Sequence, residues 1–298
     1  MAAADWRTDA LIASLRRRGN VPPSSASGGW SDADFLSALS EELRSYVVPL
    51  IRRVNEDYLV TYTDVSVVSG TARYRIPESA LGESLKDVGI LDSAGYFQPI
   101  PRIDSGNRDI VTGYYLEDED IVLVPTPTKA DTMRVKYVRR PSKLVSIDRG
   151  YVVTGIVSEE ATYSALGSGT DALIDNQDLD VTSSRPGFKL LLEADDVNND
   201  GAGTATFPAT ITAFSIGDYI TLRGESVVPQ IPAEAHPLLA QAALCQYLRA
   251  TSQPGLAEAE GRRAQMEADV VSLFSPRTEN QPKVVINRYG AGYGNWRR

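Results

Sequence analysis

At 298 residues, with 42% hydrophobic and 23% charged side chains, the chain is long enough for about two domains with a substantial core and is ordinary for a soluble globular protein. Its one cysteine, Cys245, excludes an internal disulfide and a thiolate zinc site, and its one histidine, His236, excludes histidine-based metal sites and leaves most nucleophilic triads without a base. The net charge of −9 opposes nucleic-acid reading, which needs a basic face to neutralise phosphates, but it suits a surface past which DNA slides without sticking.

At the N-terminus Asp5 and Asp9 lie before or among the first apolar residues and Arg16, Arg17 and Arg18 follow them, the reverse of a secretory leader. No run reaches the roughly 18 apolar residues that cross a bilayer, so the expectation is a soluble intracellular product without a membrane partner. Thr8 to Arg18 predicts a short helix with Leu11, Ile12 and Leu15 on one face, arginines at its C-terminal end where the dipole favours cations, and Gly19 as its cap. Val21 to Gly29 is a Pro/Ser/Gly linker, so residues 1–30 read as an arm and linker.

Ser31 opens the clearest helix. It places a side-chain acceptor at the N-cap with Asp34 three residues on, and Leu36, Leu39, Leu43, Val47, Leu50, Val54 and Tyr58 follow at spacings of three and four. Pro49 is expected to kink or interrupt this helix near Tyr46.

From Thr61 the period changes to two. Val65 and Val67 with Tyr74 and Ile76 flank Ser69-Gly70-Thr71 and predict a hairpin. Leu85–Leu91 with Tyr96–Ile103 around Ser93-Ala94-Gly95 predict a second, and Tyr114–Leu116 with Ile121–Val124 around Glu117-Asp118-Glu119-Asp120 a third. Met133, Val135 and Tyr137 are read as a buried face, with Arg134, Lys136 and Arg139 on the wet one. A second β-rich stretch holds YVVTGIVS, FKLLLEA, ATITAFSIG and DYITLRG between Tyr151 and Arg223. Many short strands between Gly/Pro turns predict an antiparallel sandwich or barrel, as one body or as two lobes.

After Ile231-Pro232 the pattern is helical again, with Leu238, Leu239, Ala242, Cys245 and Leu248 on one face and Pro237 in the first turn. Gln253-Pro254-Gly255 breaks the chain, and a last helix carries Leu256, Ala259, Arg263, Met266, Val270 and Leu273 before stopping at Ser275-Pro276. The fold class is therefore α+β: a helical bundle of the long N-terminal helix and two C-terminal helices (31–60 and 231–275), an inserted antiparallel β-sandwich or barrel region (61–230, with 61–147 and 148–230 as its possible lobes), and an extended C-terminal tail (276–298).

That tail has five basic residues, Arg277, Lys283, Arg288, Arg297 and Arg298, against Glu279, a net +4 that leaves −13 for the rest. Tyr289, Tyr293 and Trp296 lie between glycines, and Arg, Tyr and Trp dominate binding energy once buried at an interface. The tail reads as a docking peptide or as a disordered terminus.

Little here points to chemistry. Asp196-Val197-Asn198-Asn199-Asp200-Gly201 matches the first half of an EF-hand loop, but Phe207 stands where a bidentate glutamate is required, and an Asx-rich turn explains the same residues. Gly290-Ala291-Gly292-Tyr293-Gly294 is a glycine loop only in composition. His236, beside Pro237 and without an acid or cysteine at ligand spacing, reads as a structural contact. A carboxylate pair of glycosidase type needs an aromatic-lined cleft, whereas Trp6, Trp30 and Trp296 lie outside the β body in sequence. No catalytic, metal or cofactor residue is assigned.

The order SDADFLSALSEELRSYVVPLI, YYLEDEDIVLVPTP, YVRRPSKLV, GDYITLRG, IPAEAHPLLAQ and ENQPKVVINRYG resembles the head-to-tail adaptor (connector) proteins of tailed bacteriophages, from about Ser31 to Arg298. The stretch Asp148 to Gly217 is longer than a minimal adaptor requires. The resemblance implies a structural virion protein at the head-tail interface, assembled in the host cytoplasm. It implies a ring, usually dodecameric, under the portal vertex, with portal and tail (nozzle or tube) proteins as partners and genomic DNA passing through. It assigns portal docking to Lys283, Arg288, Tyr289, Tyr293, Trp296, Arg297 and Arg298. The alternative from the residues is a glycan- or receptor-binding tail component that uses the β region.

Overall fold

The computed structural model describes residues 6–21, 30–92, 94–104, 112–168, 173, 175–200, 203–207 and 213–275. The chain is mixed α+β, with helices at both ends of the described sequence and two bodies of β structure between them.

Helix α1 (Thr8–Gly19) has the arginine-rich end that the dipole favours, but it ends one residue later than expected. Asn20, at φ 48°, takes the left-handed C-cap position in place of Gly19, a conformation that Asn tolerates better than most side chains. Nor is this helix set apart as an arm. Ile12 and Leu15 are buried in the main helical core with Val21, and Thr8 donates from its backbone to Val227 O (2.9 Å) and from its hydroxyl to Val145 O (2.8 Å).

Helix α2 (Asp32–Glu42) starts with the full capping box. Ser31 Oγ accepts from Asp34 N (3.2 Å), and the Asp34 carboxylate accepts from Ser31 Oγ (2.7 Å) and Ser31 N (2.8 Å), which together draw the Asp34 carboxyl below its ordinary range. The interruption expected from Pro49 is a widened turn over Leu43–Val47, in which Val48 N reaches back to Leu43 O, before α3 (Val48–Val54) continues. A proline has no N–H and crowds the preceding turn, and widening that turn is one way to keep the helix going. The wider turn shifts the buried face, which runs Phe35, Leu39, Leu43 and Val47 and then moves to Val48 and Ile51.

Helix α4 (His236–Ala250) is almost wholly buried, because α1, α2 and α5 (Leu256–Phe274) all pack on it. In α5 the buried residues are Ala259 and Val270, with Met266 and Phe274 partly covered. Leu273, expected on the apolar stripe, is 64% exposed, and Phe274 takes the inward position beside it.

The first β body is two sheets face to face. One has the order β1 (Val60–Val67), β7 (Asp131–Arg139), β3 (Ala80–Leu91) and β4 (Phe97–Pro99). The other has β2 (Arg73–Arg75), β6 (Asp120–Val124) and β5 (Gly113–Glu117). All of these pairs are antiparallel, and Val67, Tyr74, Ile121, Met133, Val135 and Tyr137 fill the space between the sheets. The second and third predicted hairpins are present as β3–β4 and β5–β6. Asp92 Oδ1 accepts from Ala94 N and Tyr96 N in the first turn, and Asp118, at φ 53°, makes the two-residue turn in the other.

The hairpin predicted around Ser69-Gly70-Thr71 is corrected. The turn exists, but β1 pairs with β7 whereas β2 pairs with β6 in the opposite sheet. Tyr74 holds this corner: its hydroxyl accepts from Val68 N (3.0 Å) and donates to Thr71 O (2.9 Å). Arg139 is corrected too. Counted in twos from Met133 it falls on the core face, and it is 6% exposed.

The second body is a closed, all-antiparallel barrel in the cyclic order β9 (Tyr151–Val157), β10 (Glu160–Ala165), β13 (Thr204–Thr206), β12 (Leu190–Asn199), β11 (Gln177–Thr182) and β14 (Tyr219–Leu222). Ala161, Ala194 and Ala205 alternate with Val153, Leu179, Val181, Val197 and Phe207 in its interior, small and large side chains that fill a narrow barrel. Strands β10, β11 and β13 lie outside the stretches that the sequence marks as strands. A strand is also expected over ATITAFSIG, whose described part, residues 213–217, is a loop held by Asp218 Oδ2 accepting from Ser215 N (2.7 Å). Short parallel strands β8 (Lys143–Leu144) and β15 (Glu225–Ser226) pass between the barrel and the helices, and Leu144 N donates to Ser40 Oγ on α2.

Candidate functional site

The seven residues assigned to docking, Lys283, Arg288, Tyr289, Tyr293, Trp296, Arg297 and Arg298, lie outside the described residues, and so does the remainder of the 276–298 segment. What the structure describes is the helix that leads to them. Gly255, at φ 96°, gives the sharp reversal out of α4, and α5 then runs back along α4 and beside α3. Tyr46 Oη donates to Glu267 Oε2 (2.8 Å) and Arg263 lies over the Tyr46 ring (5.3 Å), so a polar clasp fixes the middle of α5. Burial, then the Glu267 hydrogen bond, push the Tyr46 phenol upward and keep it neutral. Val270 packs with Leu50 and Leu238, which places the last turns of α5 alongside α3 and close to where the chain turns into the first β body. Ala257, Gly261, Ala264, Ala268 and Ser272 on the opposite face are exposed.

The titratable groups that a reaction would need are used to hold the body together. His236 is fully buried, edge-on to Trp6 (5.3 Å between ring centres) and tilted against Phe188 (5.0 Å), with Nε2 3.2 Å from Ile231 O. Burial depresses it to about 4, so the ring is neutral at pH 7 and cannot exchange protons with a substrate. Trp6, which the sequence places outside the β body, is partly buried against a small cluster of Val145, Phe188, Tyr219 and Val227 at the barrel base. Cys245 is buried and burial raises its thiol, which removes its nucleophilic form. Asp196 to Asn199, the first residues of the loop that resembled an EF-hand, are part of strand β12. Among the described residues no group of three or more His, Cys, Asp or Glu is placed to hold a metal ion, and no helix is long and apolar enough to cross a membrane.

The most connected polar site is a joint between the three bodies. Gln230 is 1% exposed; its Oε1 accepts from Arg139 Nη2 (3.0 Å) at the end of β7 and from Ser142 N (3.2 Å). Its Nε2 donates to Thr182 Oγ1 (3.3 Å) at the end of β11, and its backbone oxygen accepts from Tyr58 Oη (3.1 Å) below α3. The side chain therefore ties sheet to barrel, and the backbone of the same residue holds Tyr58 between α3 and β1. Burial lowers the Arg139 guanidinium, partly offset by the charges of Glu193 and Asp180. Asp180, 2% exposed on β11, accepts from Gly224 N (2.9 Å) and is pushed up to about 6, chiefly by burial. No sequence motif marked Gln230 or Asp180. For Arg139 the signal was its even spacing from Met133.

An apolar cavity lies in the first body. It holds about 250 Å³ and is lined by Val67, Ile90, Ile100, Leu123 and Pro125, with Lys129 and Asp131 at its rim. It brings no reactive groups together. Among the described residues His236, Cys245, Asp180 and Arg139 are buried within the fold and do not line this cavity.

Residues 7–168 match the family of the SU10 adaptor protein. No curated protein matches the chain.

Proposed function

The chain belongs to the SU10 adaptor protein family, structural components of bacteriophage particles, and from that premise we propose that it joins the portal to the tail. Copies of the chain form a ring, probed first as a dodecamer, under the portal vertex after assembly in the host cytoplasm. The C-terminal segment docks on the portal, and nozzle or tube proteins bind the other side. The observation that carries this reading is the charge division: a net +4 over residues 276–298 against −13 for the remainder. The basic segment follows α5, which is clasped at Glu267 to Tyr46 in the widened turn before α3. Lys283, Arg288, Arg297 and Arg298 face acidic sites on the portal in this reading, and Tyr289, Tyr293 and Trp296 fill apolar pockets.

A single flexible peptide loses conformational freedom on docking and binds weakly, whereas a ring presents many at once and raises the effective concentration. The acidic body suits a channel wall, because like charge lets DNA pass with little adhesion. Deleting residues 281–298 tests the docking role. The body is expected to stay folded, by circular dichroism, and portal binding in a sedimentation assay to be lost; full binding by the shortened chain would overturn it.

A further inference from the structure

We propose that strand β1 is a strand-addition site, and that in the unassembled protein it is covered by the segment Lys283–Asn287 of the same chain. The inference begins with the edges of the sheets. In the four-stranded sheet β4 is one edge, only three residues long and ended by Pro99 and Pro101, so it gives little for another strand to pair with. In the three-stranded sheet the edge β2 is also three residues long and carries Arg73 and Arg75, the edge β5 is bonded near its start by residues 101–103, and the barrel closes on itself. Strand β1 is different: eight residues, VTYTDVSV, with no proline, no lysine and no bulge in its pairing with β7.

The ladder shows which groups are open. Arg139 N donates to Leu59 O, so Leu59 and every second residue after it bond to β7. Arg140 N donates to Ser79 O, the same alternation seen from the β3 side. Tyr62, Asp64 and Ser66 therefore direct their N–H and C=O groups away from the sheet, and all three residues are exposed. The one charge that could guard this edge, Asp64, is held by both of its oxygens to Arg134 (2.7 Å each), and the Arg134 guanidinium also covers the Tyr62 ring at 4.0 Å. A neutralised aspartate and a covered tyrosine leave a flat edge that accepts a strand.

The occupant follows from the sequence and from where the described chain stops. Lys283-Val284-Val285-Ile286-Asn287 has the only run of three β-branched residues after residue 275. Helix α5 ends beside α3, and α3 feeds β1 through residues 55–59. The seven residues 276–282 can span about 23 Å when extended, which gives 283–287 a tether of that reach from the end of α5. Charge agrees: Lys283 and Arg288 flank the segment, and Glu56 and Asp57, the latter paired with Lys86, lie just before the start of the edge. The proposal goes beyond portal docking and is independent of it, since it concerns the free protein.

The test is amide hydrogen exchange on the full chain without portal, comparing it with Val285→Pro, which removes a strand donor, and with Asn295→Pro, which lies outside the segment. The expected result is exchange at Tyr62, Asp64 and Ser66 at least about tenfold faster in V285P, with Thr63 and Val65 unchanged and N295P like the parent. Equal exchange in all three proteins would overturn the proposal. Protection that disappears on dilution would also overturn it, by assigning β1 to a second copy of the chain.

Discussion

The barrel of residues 151–222 and the paired sheets of residues 60–139 satisfy their backbone groups by opposite means. The barrel closes, so every strand has two neighbours, and its interior of alternating alanines and larger apolar side chains leaves no edge to a partner. The paired sheets stay open: among the described residues β2 and β4 are short edges, β5 is partly covered by residues 101–103, and β1 is a long edge with no proline or bulge. The difference teaches that the two bodies, similar in composition, offer different things to an assembly. One is a rigid block and the other a block with an attachment edge. Gln230 is hydrogen-bonded to both.

Core truncation breaks this comparison most severely. Leu179→Ala in the barrel and Met133→Ala between the sheets each remove a side chain that is almost fully buried, and each is expected to cost about 2–5 kcal/mol by urea unfolding. If the joint couples the bodies, either substitution lowers the protection of both in hydrogen exchange. Independent loss in only the mutated body would show two uncoupled units.

A pH series sharpens the comparison, because Asp180 in the barrel and His236 at the start of α4 are buried groups whose shifts act in opposite directions. Asp180 titrates at about 6 when folded, above its ordinary 3.8, so its contribution to stability is present below pH 4 and is lost as pH rises through 6. His236 titrates at about 4, below its ordinary 6.5, so its contribution is present above pH 6.5 and is lost as pH falls through 4. Each is worth about 2–3 kcal/mol, and between pH 4 and 6 they oppose each other. Asp180→Asn is expected to raise stability at pH 7 and to unmask a decline in acid; an unchanged pH profile would contradict both assignments. The smallest effect expected is that of Gln230→Ala, about 1–3 kcal/mol, from leaving Arg139 and Ser142 N without their shared acceptor. Its signature is a broader unfolding transition, as the bodies begin to melt separately.

What could be read from the sequence was local. The Ser31 and Asp34 capping box, the interruption before Pro49 and the two turns at residues 92–96 and 117–120 are each decided by side chains a few residues apart. What could not be read was long-range. Whether a strand after Gly70 returns to its neighbour or crosses to the other sheet depends on Tyr74 closing a corner, and closure of the barrel depends on Tyr151 meeting Ile220, far along the chain. Arg139 was legible by parity but was grouped with the wet arginines, because a charge at a strand end is usually solvated. Gln230 carries no sequence signal at all: its role exists only where three bodies meet. The docking residues were picked out by charge and aromatic content and fall outside the described residues.

Electron microscopy of the purified full chain mixed with portal tests adaptor function most directly. Closed rings stacked beneath the portal, with the C-terminal segment following the portal surface, are the predicted result. Rings that do not stack, or a C-terminal segment bound only on the side away from the portal, would contradict it.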